Sequence, residues 1–146
     1  MLQTSTTRII IYKAHPLISH SKYTDDPNVL FVKDELISSL FCVTDLLISD
    51  YSAITIDWMA FNKPVIAYVP DLNKYANKPG LTIDYETEFP GTVVKNEEQL
   101  VKTLKKGDTD QGKRQRARFA KKMYKFSDGR STERVVKLIK SIMDNN

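Results

Sequence analysis

Two short polar segments hold the residues best suited to chemistry. The first is Ser49-Asp50-Tyr51-Ser52-Ala53, which follows the apolar run Leu46-Leu47-Ile48 and leads into a helix-like stretch carrying Asp57. The second is Lys13-Ala14-His15-Pro16, directly after Ile9-Ile10-Ile11-Tyr12. A polar turn between a strand's carboxyl end and a helix's amino end leaves backbone N–H groups free, and the helix dipole there favours an anion. Ser52 adds a hydroxyl donor and Lys13 a positive charge. Pro16 pushes His15 into an extended conformation that can hold its imidazole at the strand tip. Together these donors suit a diphosphate. Either segment alone is a weak signal, since a histidine before proline is more often a turn residue. The pair is stronger, because turns at the carboxyl edge of one parallel sheet can converge on one ligand.

The elements that position these turns alternate along the chain. Arg8–Lys13 reads as a strand whose β-branched run suits burial on both faces. Asn28–Val32 is a second strand, and Asp34 can cap a helix reaching Val43 with Leu36, Ile37, Leu40 and Phe41 on one side. Leu46–Ser49 is the third strand, Tyr51–Phe61 a helix and Val65–Val69 the fourth strand. Asp71–Ala76 is a helical turn and Gly91–Lys95 the last strand. Helices follow at Glu97–Lys105, at about 109–125, with Ala117, Ala120, Met123 and Tyr124 as its apolar stripe, and at 131–143, with Val135, Leu138, Ile139 and Ile142 at helical spacing. Asp50 reads as a structural cap, and Trp58 and Met59 as core. The expected fold is α/β, a Rossmann-like parallel sheet with helices on both faces.

Composition fits one globular domain: 146 residues, 41% hydrophobic and 27% charged. The lone Cys42 sits in an apolar run and reads as a buried thiol in a cytoplasmic setting. No stretch approaches the ~20 apolar residues of a membrane span, and no secretory leader is legible at the N-terminus. Charge is asymmetric. Residues 1–101 carry 8 Lys/Arg against 13 Asp/Glu, and residues 102–140 carry 14 against 4. The run Lys113–Lys122 could meet nucleic acid, anionic lipid or an anionic polymer. A solvated helix face is the favoured reading, and nucleic acid the weaker partner without an aromatic-interleaved basic motif. Dinucleotide, P-loop, zinc and nucleophile-elbow patterns are all missing.

The run from Leu46 to Leu100 resembles the CDP-glycerol glycerophosphotransferases of wall teichoic acid synthesis. The shared motifs are Asp50–Ser52, Asp57, Asn62–Ile66, Asp71–Tyr75, Asp84–Gly91 and Asp128–Arg134, with Lys13–Pro16 matching the upstream basic-x-His-Pro. Ala53 departs from the family's second serine, and Lys13 stands where arginine is also common.

The resemblance implies a GT-B architecture of two Rossmann-like domains. Residues 1–146 correspond to the C-terminal, nucleotide-binding half as a single domain, with the N-terminal half absent through excision or truncation. It implies transfer of glycerol phosphate from CDP-glycerol to a lipid-linked teichoic acid acceptor, releasing CMP, in a cytoplasmic enzyme peripheral to the inner face of the cell membrane. A ribitol-phosphate transferase using another CDP-alditol and a non-catalytic nucleotide-binding module are the alternatives. His15 is the implied catalytic donor. Lys13, Ala14, His15, Ser52, Ala53 and Asp57 form the implied donor site, Asp57 accepting from a ribose or glycerol hydroxyl unless it is a helix-surface carboxylate. Arg134 and Ser131 read as helix-start residues outside the site. Neither cofactor nor metal is implied, because protein donors can neutralise the diphosphate.

Overall fold

The computed structural model describes residues 8–14, 25–33, 35–75, 81 and 83–145. Residues 1–44 and 45–146 form two compact units.

In the first unit, β1 (Ile10–Lys13) and β2 (Val29–Val32) pair in parallel, with Ile10 opposite Val29 and Lys13 opposite Val32. Tyr12 and Phe31 meet edge to face at 5.5 Å. The expected burial of the first strand on both faces is not seen: Ile10 is exposed while Ile11 and Tyr12 are half-buried. Helix α1 spans Ile37–Val43, two residues later than a cap at Asp34 would start it; extended Leu36 takes the N-cap position and makes no side-chain cap. The proposed cap, Asp34, lies outside the described residues. Of the four apolar residues expected on one side, Phe41 is buried, Leu40 half-buried, and Leu36 and Ile37 are exposed. Cys42 corrects its expectation. It is exposed, because the helix turns Phe41 inward and the next residue, ~100° further round, outward.

In the second unit, β3 (Leu47–Ser49), β4 (Val65–Tyr68) and β5 (Thr92–Val94) make a parallel sheet in the order β3-β4-β5. Leu47 faces Val65 and Ser49 faces Ala67 on one side of β4; Ile66 faces Thr92 and Tyr68 faces Val94 on the other. The central strand buries Val65, Ile66 and Ala67, as an apolar run flanked by two strands should. Close packing explains Gly91. A Cβ there would stand 2.0 Å from the Val65 carbonyl oxygen.

The segment between β3 and β4 is shorter than one continuous helix over Tyr51–Phe61. Helix α2 is Ile54–Trp58, a 3₁₀ turn follows at Met59–Phe61, and Asn62 ends it in the left-handed conformation with φ of 50°. Trp58 is fully buried, and its indole N–H donates to the carbonyls of Lys63 and Pro64. That fixes the chain's entry into β4.

Helix α3 is Leu72–Tyr75, α4 Glu97–Lys106, α5 Asp110–Met123 and α6 Ser131–Met143. Asn96 caps α4 by accepting from the N–H of Gln99, whose side chain accepts in return from Lys95. Thr109 caps α5 through the N–H of Gly112. The buried stripe of α5 is Arg116 and Phe119, with Ala120 and Met123 half-buried; Ala117, expected on it, is exposed. On α6 the apolar spacing is as expected, yet every one of its residues is exposed. Among the described residues, no helix is long and apolar enough to cross a membrane.

Candidate functional site: the turn after β3

Ser49 ends β3, and the chain leaves the sheet through Asp50, Tyr51, Ser52 and Ala53 before α2 begins. Ala53 holds the N-cap position and offers no side-chain cap. The Ser52 side chain makes only a long contact, accepting from the N–H of Ile54 at 3.4 Å. Its hydroxyl proton remains available. The N–H groups of Ser52 and Ala53 carry no hydrogen bond among the described residues, and both residues are exposed. Two free N–H groups and a hydroxyl at the carboxyl end of a parallel strand are donors of the type that suits an anion.

Asp57 is the fourth residue of α2 and exposed. At four residues beyond Ala53 and five beyond Ser52, it sits one turn above Ala53 rather than above Ser52. Its carboxylate helps raise the pKa of Tyr124, after burial, and the Tyr124 phenol donates to the Ile56 carbonyl.

Asp50 does not cap the helix. It contributes its backbone carbonyl, which accepts from the Tyr85 hydroxyl at 3.1 Å. Tyr51 turns its ring onto Tyr75, parallel at 3.8 Å between centroids, and lies edge-on to Tyr85 at 5.5 Å. Its hydroxyl donates to Asp71 Oδ1 at 2.7 Å. Burial first, then the Asp71 carboxylate, push the Tyr51 phenol far above its ordinary pKa; burial and Asp50 raise Tyr85 likewise. Both phenols therefore stay protonated and keep donating. Sequence reasoning assigned no role to this aromatic set. Its signal lay in the Asp71–Tyr75 and Asp84–Gly91 motifs, which hold the partners.

Lys13 and Ala14, both half-buried, lie at the end of β1 in the other unit. The Lys13 ammonium donates to the Lys33 carbonyl at 2.6 Å, which fixes it at the end of β2 while leaving further protons to donate. His15 lies outside the described residues.

Two other features are distinct from the turn. A cleft of about 510 Å³ has Leu72, Leu81, Ile83 and Tyr85 in its wall, together with Asp84 and Glu88. The two carboxylates are held ionised, Asp84 by the N–H groups of Glu86 and Thr87, and Glu88 by Lys122. Arg134, at the start of α6, grips both oxygens of Asp128 at 2.9 Å and the Phe126 carbonyl at 2.6 Å. The Asp128–Arg134 motif is thus a clamp that turns the chain into α6. Among the described residues, no three His, Cys, Asp or Glu residues are grouped to hold a metal ion.

Parallel strands that deliver a serine-bearing turn at their carboxyl edge place the chain among α/β proteins. Its fold matches that of the wall teichoic acid polymerase TagF with a TM-score of 0.64 at 24% identity, covering 94% of this chain and 35% of that one. The chain belongs to the CDP-Glycerol:Poly(glycerophosphate) glycerophosphotransferase family, which it matches over residues 3–141. It is 33% identical over 135 residues to the teichoic acid glycerol-phosphate transferase of Staphylococcus aureus (strain NCTC 8325 / PS 47), covering 90% of this chain. It is 31% identical over 133 residues to the teichoic acid ribitol-phosphate polymerase TarL of the same strain, covering 88% of this chain. The chain spans 35% and 23% of the lengths of these two relatives.

Proposed function

We propose that residues 1–146 serve as the nucleotide-binding half of a transferase that passes glycerol phosphate from CDP-glycerol to a lipid-linked teichoic acid chain. The acceptor hydroxyl oxygen bonds to the glycerol-bearing phosphorus and gives up its proton. The bond from that phosphorus to the bridging oxygen breaks, and CMP departs with that oxygen. The observation supporting this reading most directly is the Ser52–Ala53 turn, whose free N–H groups and hydroxyl suit the diphosphate. Ala53 supplies a backbone donor but no second hydroxyl.

In this reading His15 donates to the bridging or β-phosphate oxygens and protonates the departing CMP. Lys13 and Ala14 shape the phosphate pocket, and Asp57 accepts from a ribose or glycerol hydroxyl. The working enzyme sits in the cytoplasm at the inner face of the cell membrane, where the basic segment 102–140 suits an anionic surface. Nucleic acid is not among the proposed partners. A ribitol donor is the second reading, favoured by the likeness to a ribitol-phosphate polymerase. A non-catalytic nucleotide-binding module is the third.

Calorimetric titration of the chain with CDP-glycerol, CDP-ribitol, CMP and GMP tests these readings. The expected outcome is weak, cytidine-selective binding without turnover by this chain alone. Tighter binding of CDP-ribitol than of CDP-glycerol would move the assignment to ribitol, and equal binding of CMP and GMP would end the cytidine reading. In the complete enzyme, His15→Ala should slow turnover by ~10²–10³, the scale for losing a preorganised donor to developing charge. His20→Ala should leave the rate unchanged; equal losses at the two positions would remove His15 from the site.

A further inference from the structure

We propose that Tyr51 is a positioning residue that fixes the peptide groups of the Ser52–Ala53 turn, with Asp71, Tyr75 and Tyr85 as its anchors. The inference rests on the reading of that turn as a phosphate site. It begins from how little the turn has to hold itself. Helix α2 is five residues long, Ala53 gives it no cap, and the single side-chain bond within the turn is the 3.4 Å contact from Ile54 to Ser52. The local backbone bonds, Thr55 to the Ser52 carbonyl at 3.4 Å and Ile56 to the Ala53 carbonyl at 2.9 Å, hold the turn from its helix side alone. Donors that must be ordered on binding lose affinity to the entropy of ordering.

The missing order comes from far along the chain. At Asp50 the backbone carbonyl is held by the hydroxyl of Tyr85, itself 6% exposed. At Tyr51 the side chain is held three ways: by the hydrogen bond to Asp71, by the parallel stack on Tyr75 and by the edge of Tyr85. Two consecutive residues are therefore gripped just before the two whose N–H groups are free. The Tyr51 hydroxyl spends its proton on Asp71, and its ring is covered by tyrosines. It has nothing left to offer a ligand and acts through the turn.

The test uses the full 146-residue chain in wild-type, Tyr51→Phe, Asp71→Ala, Asp71→Asn and Ser52→Ala forms. Affinity for CDP-glycerol is read by calorimetry, and hydrogen exchange is read at the amides of Thr55 and Ile56, which donate to the carbonyls of Ser52 and Ala53. Tyr51→Phe keeps the stack and loses the bond to Asp71. Its expected result is faster exchange at those amides and affinity lower by about three- to tenfold, the scale of one hydrogen bond. Asp71→Ala should match it, the double variant should add nothing further, and Asp71→Asn, which keeps an acceptor oxygen, should recover most of the loss. Unchanged exchange at these two amides overturns the inference. So does unchanged affinity in Tyr51→Phe where Ser52→Ala weakens binding. A wild-type chain without saturable binding of CDP-glycerol overturns the phosphate reading and this inference with it, a result distinct from any Tyr51 variant's.

Discussion

Helices α5 and α6 share one device and differ in burial. Both are basic and amphipathic, of 14 and 13 residues, and each carries an arginine that grips an aspartate preceding the helix. In α5 the pair is Arg116 with Asp108, bonded at 2.9 and 2.7 Å, the arginine only 2% exposed. In α6 the pair is Arg134 with Asp128, with side chains 42% and 52% exposed. Helix α5 packs on the 59–61 turn and buries Phe119, whereas α6 buries nothing. Periodicity tells which face of a helix is apolar. It does not tell whether this stretch of chain supplies the cover.

Burial is what separates the two helices, so removing it should cost most. Phe119→Ala should destabilise the chain by about 3–5 kcal/mol, the range for truncating a buried aromatic ring. Leu138→Ala on α6, 60% exposed, should stay within about 0.5 kcal/mol. Urea unfolding of both variants checks the contrast. A comparable loss at Leu138 would mean that the α6 face is packed after all.

Arg116→Ala comes next, at about 3 kcal/mol, the lower end for breaking a buried ion pair because Asp108 keeps some contact with water. One fact works against a larger value. Arg116 Nε is buried without a partner, so the native pair already carries an unsatisfied donor. Arg116→Met, which fills the space without charge, should cost clearly less than Arg116→Ala in the same urea experiment.

The same contrast marks how far the sequence could be read. The five strands among the described residues were legible, because each is a short apolar run bounded by turn signals. The helix after β3 was overextended at its start because Tyr51 looks helical in pattern. Its conformation is instead fixed by Asp71 and Tyr75, residues 20 and 24 positions away, which no local period reports. The expectations for Cys42 and Ala117 fail for a common reason. Each was judged by its neighbours in sequence, whereas exposure depends on what is packed against it. Ser52 and Ala53 follow the end of β3, and Lys13 ends β1, as each segment's pattern predicts. Asp50 was misread as a cap, since the bond from Tyr85 to its carbonyl joins residues 35 apart.

The smallest expected effect separates the two aspartates by acid. Each has its pKa lowered first by the hydrogen bond from its arginine. A carboxyl group with a depressed folded-state pKa binds its proton more readily when unfolded. Its contribution is therefore present above the ordinary aspartate value of 3.8 and lost as pH falls through the folded-state value. For Asp108, gripped by a buried guanidinium, that loss should register as a drop in Tm below about pH 4, one that Asp108→Asn largely abolishes. Asp128 shares the direction of shift but stands in solvent, where water and salt screen the pair. Asp128→Asn should leave the acid limb of the Tm curve nearly superimposable on wild type, and added salt should erase what difference remains. If both variants flattened the curve equally, burial would not be what distinguishes the two arginine–aspartate pairs, and α6 would have to be held as firmly as α5.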